Sequence, residues 1–189
     1  MEDKNIILLN RIITYKSNEL GIEVIKPDHS GSIVSMLRED WHLFIEINSP
    51  IVQPQPLLLQ MTICVKEDTF QMLCFPSPGI ITNNNTEQFI KLANIANLYL
   101  FRDSALGRLW VDDENFDFAY ELIIKEELLE NCTEEITRQL FDVPITHFKD
   151  LHIPLIMLAN NEWDEKIAIK YLTELRENGC VDNKEYGLW

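Results

Sequence analysis

Two histidines, His147 and His152, come nearest to a metal site in this sequence, with Asp150 between them. Imidazole and carboxylate groups are common zinc ligands. On a regular helix, however, a spacing of five residues leaves the two rings about 140° apart around the axis. We therefore expect surface or helix-end histidines and no metal. His29 and His42 are isolated in the sequence, and we expect them to be structural or exposed.

An acidic segment, Asp113-x-Asn115-x-Asp117, matches the first three ligand positions of an EF-hand calcium loop. The position that requires glycine is Phe118, and the position that requires a bidentate glutamate is Ile124. Such a loop cannot wrap calcium in this way. Asp and Asn are common in turns because their side chains bond the local backbone, so the segment predicts a hairpin turn.

Nucleophilic catalysis and phosphate binding each depend on short glycine-containing motifs. The six glycines are scattered, and the sequence has neither a Gly-x-Ser-x-Gly elbow nor a phosphate-binding loop. Thirty-one acidic residues make accidental carboxylate pairs inevitable, so such pairs say nothing about acid–base catalysis. The sequence therefore predicts a protein that is not an enzyme and that holds no cofactor.

The sequence contains four cysteines and no CxxC pair: Cys64, Cys74, Cys132 and Cys180. Apolar or helix-forming neighbours surround each of them, which favours small buried side chains and reduced thiols. Cys64 and Cys74 fall on two predicted strands. A turn centred near residue 67 pairs Cys64 with Phe70 and Cys74 with Gln60.

The charge of the chain excludes several partners. Sixteen Lys and Arg against 31 Asp and Glu give a net charge of -15, which repels nucleic acids and anionic lipid surfaces. Residues 103–189 carry 20 acids and eight bases, so the second half is the acidic one. The apolar stretch Ile6 to Leu9 is too short and too acid-flanked for a signal peptide, and no window reaches the roughly 18 apolar residues of a membrane span. We expect a cytoplasmic protein with no membrane contact.

Residues 1–56 predict an α-β segment that packs on the rest of the chain. Ile6, Leu9 and Ile13 have helical spacing, and Gly21 ends this helix before a short apolar run at 22–25. The segment 30–50 is ambiguous. Its Ile33, Leu37 and Trp41 fit helical spacing, whereas residues 43–47 predict a strand, so we expect a short helix or loop followed by a strand. The proline-rich stretch 49–56 marks the internal boundary.

Residues 57–189 predict the core. Two β-rich runs, Leu57 to Val65 and Phe70 to Phe75, form a hairpin. A helix capped by Asn85 or Thr86 follows, and its apolar face consists of Phe89, Leu92, Ala93, Ala96 and Leu100. Residues 107–111 and 116–124 form a second hairpin with one dry and one wet face.

The remainder predicts helices. Asn131, with Glu134 three residues later, marks a helix start, and Pro144 and then Pro154 interrupt or kink the helical chain. Asn161 with Asp164 begins the last helix, and Gly179 ends it. Hairpins with helices between and after them predict the α+β class, an antiparallel sheet with helices packed on one face, and one compact domain overall.

The stretch from about residue 57 to 160 resembles the YbjN-type family, which shares the type III secretion chaperone-like fold. The resemblance rests on the following segments: Cys74-Phe75-Pro76, the helix from Glu87 with Asn94 and Asn97, Gly107 to Asp112, Phe118 to Leu122, and the proline-containing helices. It implies a small α+β protein whose relatives bind protein partners or influence regulation, and it implies no active site. The longer N-terminal segment and the helix at 163–178 depart from the family pattern.

The best indication of a binding face is Trp110. If Leu109 and Val111 point inward from their strand, Trp110 points outward, beside Arg108. The alternative is that the N-terminal segment or the last helix covers this tryptophan. Trp189 ends a segment that either docks on a partner or folds back on the protein.

These observations predict a non-catalytic protein-binding module, chaperone-like or regulatory, with a protein partner that can be basic and with homodimerisation as part of the same idea. An immunity or antitoxin-type protein that neutralises a basic enzyme is the alternative. A small hydrolase with an unfamiliar site is a third reading.

Overall fold

The computed structural model of the protein describes residues 4–26, 37–48, 56–66, 68–82, 84–99, 105–112 and 114–188, without the side chains of 37–39 and 99. Six strands form one antiparallel sheet in the order β1-β2-β3-β4-β6-β5: β1 (Val24–Ile25), β2 (Leu37–Ile47), β3 (Leu57–Lys66), β4 (Thr69–Pro76), β5 (Arg108–Asp112) and β6 (Asp117–Lys125). The helices are α1 (Lys4–Leu20), α2 (Thr86–Tyr99), α3 (Glu127–Asn131), α4 (Thr133–Thr137), α5 (Val143–Ala159) and α6 (Glu165–Asn178). A π-helical segment (Arg138–Asp142) joins α4 to α5, and a 3-10 turn (Asn183–Tyr186) follows α6.

The helices of the described chain pack on one face of this sheet, as the α+β prediction requires. Phe118 on β6 contacts the rings of Phe89 in α2 and Phe148 in α5, with centroids 5.9 and 6.3 Å apart. Toward the other end of the strand order, on the same face, Trp41 on β2 donates a hydrogen bond from Nε1 to Asn10 Oδ1 of α1 at 3.2 Å. One apolar cluster thus extends from α1 to the C-terminal residues, and it includes residues from both sides of position 56. We call the covered side of the sheet the inner face and the opposite side the outer face.

The ends of three helices follow the predicted signals. Gly21 ends α1 with φ +68, a conformation that glycine adopts without a steric penalty. Asn85 stands directly before α2, whose Phe89 and Ala96 are buried as predicted. Asp164 caps α6, because its carboxylate accepts the N–H groups of residues 166 and 167, and Gly179 ends that helix at φ +70.

The interpretation of residues 30–50 was wrong in one respect. β2 begins at Leu37, so that Trp41 belongs to a strand of 11 residues and not to a helix. A spacing of four fits a helix but also places residues on the same side of a strand, and pairing with β3 over the whole length of β2 decides between the two. Ile33, like the predicted boundary at 49–55, lies outside the described residues.

The first hairpin forms as predicted, but its register was wrong by one residue. Cys64 lies opposite Gln71 and Cys74 lies opposite Met61. The shift follows from a turn centred between residues 67 and 68 rather than at 67. Cys64 faces outward and Cys74 inward, and both are buried, whereas Cys132 and Cys180 are exposed, contrary to the prediction. All four are free thiols.

The predicted helix start at Asn131 was also wrong. Asn131 ends α3, and its Nδ2 donates to the Glu127 carbonyl at 3.2 Å. Pro144 stands in the first turn of α5, where its missing N–H is not needed, and Pro154 lies inside α5 without ending it. A π-helical segment directly before α5 provides the irregularity that was predicted at Pro144.

The C-terminal segment folds back onto the helical layer. Tyr186 packs against Trp163 and Tyr171, with ring centroids 5.4 and 5.2 Å away, and Leu188 is buried. Of the two predicted roles for this segment, the structure shows the folded-back one as far as Leu188. Within the described ranges, no helix combines the length and the apolar character that a membrane crossing requires.

Candidate protein-binding face

Strand alternation places Trp110 on the outer face of the sheet. Its neighbour Leu109 faces inward and is 2% exposed, and Val111 is half-buried. Trp110 itself is half-buried, so the indole is neither fully exposed nor fully covered. Arg108 shares the outer face with it and is exposed. Trp189, the third residue predicted for the binding face, lies outside the described residues.

The strand register aligns Trp110 with two phenylalanines in a line across the sheet. Phe44 on β2 pairs with Gln60 on β3, and Gln60 pairs with Phe75 on β4. The β4–β6 ladder ends one residue earlier, at Cys74 and Tyr120, which places Phe75 beside Ala119, the partner of Trp110 on β5. We call this line the aromatic row: Phe44, Gln60, Phe75, Ala119 and Trp110.

Apolar side chains around the aromatic row are open to solvent. Ile123 is 59% exposed, Leu58 40% and Phe44 39%, and in the described chain no helix packs on this face. Phe44 and Leu58 are close neighbours on β2 and β3, whereas Ile123 lies further along β6, beyond Glu121. Large apolar groups exposed together on a surface often mark a contact with another molecule. The outer face thus carries large apolar side chains that the described helices do not cover.

A chain of polar contacts crosses the same face next to the aromatic row. Lys66 donates to Gln71 Oε1 at 2.7 Å, and Gln71 Nε2 donates to Glu121 Oε1 at 2.7 Å. Arg108 closes the chain with an ion pair to Glu121 at 3.3 Å. Arg108 is thus held beside Trp110 by a partner on the neighbouring strand, which orders this end of the face.

The edge strand that carries Trp110 is fixed by two unusual contacts. Asn97 of α2 bonds both backbone groups of Leu109, each at 2.8 Å. Gly107 lies against Tyr120 so closely that a Cβ there would collide with the phenol ring and with the Glu121 carbonyl. The Gly107 N–H donates to the Tyr120 hydroxyl at 3.2 Å, and burial raises the pKa of that phenol to about 12. The sequence pattern did not predict the contacts of Asn97 with Leu109 or of Gly107 with Tyr120.

At its other end, the same hairpin closes through Asp112. This carboxylate accepts the N–H groups of Glu114 and Asn115 at 2.9 and 3.1 Å and the Asn115 side-chain amide at 2.7 Å. These hydrogen bonds lower the pKa of Asp112. Residues 114–117 therefore belong to a hairpin turn, as predicted, and Asp113 lies outside the described residues.

One group of side chains on the outer face has the composition of a hydrolytic triad. His42 Nε2 lies 3.2 Å from Asp40 Oδ2, and His42 Nδ1 lies 3.3 Å from Thr62 Oγ1. A nucleophile of this type also needs donors for the developing oxyanion. Thr62 lies on β3, an interior strand with ladder partners on both sides, so the surrounding N–H groups are engaged within the sheet. Gln60 Nε2 also lies 3.4 Å from His42 Nδ1, so these side chains form a polar contact that joins β2 to β3.

The histidines considered for a metal site are buried, and this corrects the prediction that they lie at the surface. His147 is 9% exposed and His152 1%, because α5 runs through the core instead of along its surface. Burial lowers the pKa of His147 to about 4, which keeps its ring neutral near pH 7. Over the residues that the structure describes, no group of three or more His, Cys, Asp or Glu side chains is arranged to hold a metal ion.

A cleft of about 610 Å³ separates α1 from α4 and the π-helical segment. Most of the charged side chains that line this cleft form ion pairs with one another or with a neighbouring residue. Lys16 bridges Glu19 and Asp142 at 3.2 and 3.1 Å, and Arg138 contacts Glu135 outside the lining at 2.6 Å. Opposite charges are interspersed along both walls, so the cleft shows no preference for one charge type.

Sequence reasoning located Trp110 and Arg108 but missed Phe44, Phe75 and Ile123. Each of these alternates with inward-facing neighbours, which indicates an outward position. Their alignment with Trp110 depends on the register of four strand pairs, and a single strand does not reveal it.

No protein-family model, curated protein or solved structure matches this chain.

Proposed function

We propose that this protein is a non-catalytic protein-binding module, chaperone-like or regulatory, that holds a protein partner on the outer face of its sheet. The observation that supports the proposal most strongly is the aromatic row with the exposed Leu58 next to it and the exposed Ile123 further along β6 on the same face. Aromatic side chains dominate binding energy at protein interfaces because they bury large apolar areas with little loss of conformational freedom.

The arrangement of charge around this row also supports a protein contact. All five residues of the aromatic row are uncharged, and the charged side chains of the face lie beside it or at the strand ends. An uncharged centre with a polar rim is the usual anatomy of a protein interface. The reduced thiols are consistent with a cytoplasmic role, which is part of the proposal.

The finer assignment, a YbjN-type protein with a type III secretion chaperone-like fold, belongs to the same proposal. Besides the proline-containing α5, the segments that carry the resemblance fall on β4, α2, β5 and β6, which build and cover the end of the sheet that bears Trp110. This placement connects the resemblance to the proposed face and to a binding role.

A second candidate is an immunity-type protein that neutralises a basic enzyme. It is favoured by the acidic side of α3 and α4, which presents Glu126, Glu127, Glu130, Glu134 and Glu135 within ten residues. Lys4 pairs with Glu130 at 2.6 Å and Arg138 pairs with Glu135, whereas Glu127 and Glu134 form no ion pair with a described side chain. These acids lie on the helical side, away from the aromatic row, so the two candidates predict different contact surfaces.

The proposal is tested by affinity purification of the tagged chain from its native cells. We expect a protein in stoichiometric amount that Ile123→Asp and Phe44→Asp each remove. The control is Leu98→Asp, which places the same charge on an apolar side chain of α2 that is 63% exposed. A partner that survives both face variants and is lost when Glu127 and Glu134 become lysine would replace the first candidate by the second.

A further inference from the structure

The outer face is acidic at one end of its strands and basic at the other. Asp112, Asp117 and Glu46 lie at the end that includes the β5–β6 turn. Lys66 and Lys125 lie at the opposite end, on β3 and β6. Asp40 also lies toward that end, but it is only 8% exposed and contacts His42 at 3.2 Å. The aromatic row and its exposed apolar neighbours occupy the space between. The face thus has a charge polarity along the strand direction.

The acidic end contains an unfavourable pair. Asp112 and Asp117 are direct cross-strand partners, and like charges in that position destabilise a sheet. Burial and the charge of Asp112 raise the pKa of Asp117. In the described chain no cationic side chain forms an ion pair with either carboxylate. A cation supplied from outside the chain would relieve this repulsion.

The two lysines of the basic end form no ion pair with a described carboxylate. Lys125 is exposed, and although Asp68, Glu126 and Glu127 line a cleft of about 250 Å³ beside it, none of the described acids forms an ion pair with its ammonium. Lys66 bonds the neutral amide of Gln71. Each end of the face therefore presents charge that the other end could neutralise.

We infer that a second copy of this chain packs on the outer face, sheet against sheet, about a two-fold axis that lies in the interface and runs across the strands. Such an axis reverses the strand direction, so that β6 of one copy crosses β6 of the other and each Lys125 lies near the Asp117 of the other copy. The contact is isologous, and the pair occurs twice. This inference rests on the proposed function, because it names the occupant of the same face.

The flat footprint of the face is somewhat smaller than the area that a standard interface buries on each partner, and side-chain relief adds to it. The five strands β2 to β6, spaced about 4.8 Å apart and with about eight residues of about 3.3 Å each on average, give a footprint of roughly 600 Å² before side-chain relief is counted. A stable interface needs about 800 Å² of accessible surface on each partner. Cys64, Gln71 and Ile123 form another line of outward-facing residues across the sheet. With the same axis, the aromatic row of each copy lies over this line in the other copy.

Sedimentation equilibrium of the purified chain tests this inference. We expect twice the chain mass of 22.1 kDa, and for Lys125→Asp and for Asp117→Lys a dissociation constant raised by about tenfold or more, because each reversal places like charges together twice. The double variant Lys125→Asp with Asp117→Lys should restore the dimer. That recovery also shows that the single variants failed to pair and did not fail to fold.

Three results would overturn the inference: a wild-type monomer at about 100 μM, a dimer that neither single reversal weakens, or a double variant that is folded by circular dichroism and stays monomeric. None of these results touches the proposed function. A different protein that co-purifies with the tagged chain, and is lost in the Ile123→Asp variant, would support the proposed face while excluding the second copy as its occupant.

Discussion

The side chain of Asn97 occupies the free edge of the sheet at Leu109. Its Nδ2 donates to the Leu109 carbonyl and its Oδ1 accepts the Leu109 N–H, both at 2.8 Å. An amide side chain thus makes the two hydrogen bonds that a further strand would make. Unpaired edge strands invite pairing with other chains, and this contact blocks that route at the strand that carries Trp110. Contact through the face is favoured over contact through this edge.

Asn97→Ala should lower the free energy of unfolding by about 2 kcal/mol, because two backbone groups of a buried residue lose their partners. Chemical denaturation measures this loss. Asn94→Ala, at an exposed position of the same helix, is the matched control and should change stability by less than about 0.5 kcal/mol. Equal effects of the two substitutions would show that the Asn97 bonds contribute little.

Gly107→Ala should be destabilising by about 2 kcal/mol, since its Cβ would overlap the Tyr120 ring and the Glu121 carbonyl. Gly79→Ala is the control, because a Cβ at that position meets its nearest atoms at 3.7 and 3.8 Å, which is ordinary contact. Thermal unfolding of both variants provides the comparison. Full tolerance at position 107 would contradict the close approach of β5 to Tyr120.

Trp110→Phe should leave the free energy of unfolding unchanged or raise it by up to about 1 kcal/mol. The indole Nε1 is shielded from solvent and has no hydrogen-bond acceptor in the described chain, so removal of this N–H removes a desolvation cost. Trp41→Phe is the contrasting variant. Its Nε1 donates to Asn10 in the core, so Trp41→Phe should lower the free energy of unfolding by about 2 kcal/mol, as measured by urea unfolding. A larger loss at position 110 than at position 41 would contradict this account.

His147 should make the protein less stable in acid. Its pKa is about 4 in the folded protein against an ordinary value of 6.5, so the unfolded chain binds the proton more readily between these values. The stability that neutral His147 allows is present above pH 6.5 and is lost as the pH falls toward 4, by about 2 kcal/mol at pH 5 relative to pH 7.

Urea unfolding of wild type and His147→Gln at pH 8, 7 and 5 measures this contribution. Burial also raises the pKa of Asp150, which acts in the opposite direction, so the informative quantity is the difference between the two profiles. The profiles should run nearly parallel from pH 8 to pH 7 and diverge at pH 5. Parallel profiles over the whole range would contradict a buried neutral imidazole.

Two of the four thiols should react readily in the native protein. Cys132 and Cys180 are exposed, whereas Cys64 and Cys74 are buried, and burial raises the pKa of both buried thiols. Ellman's reagent should label two thiols at pH 8 within minutes and four after denaturation. Rapid labelling of all four in the native state would show that the sheet is open at Cys64 and Cys74.

Local signals in the sequence were sufficient for elements whose ends depend on nearby residues. Gly21, Asp164 and Gly179 act within one turn of the backbone they end, and their helices begin or end there. The start of β2 and the burial of His147 depend on contacts with residues far along the chain, which periodicity cannot reveal.

The candidate face likewise has one feature that the sequence predicts and another that it does not. The outward orientation of Trp110 follows from strand alternation alone. Its alignment with Phe44 and Phe75 follows from the registers of the β2–β3, β3–β4, β4–β6 and β5–β6 pairs, and an error of one residue in any of them moves the side chains to the other face. The error at Cys64 shows how easily that happens.

Site-specific photo-crosslinking in native cells tests the binding face most directly. A benzophenone amino acid is placed at Ile123, on the outer face, or at Lys170, an exposed position on α6 in the helical layer. The account predicts a discrete adduct with a protein chain from position 123 and little or none from position 170. An adduct from position 170 alone, or no adduct from position 123 in the correctly folded protein, would contradict it.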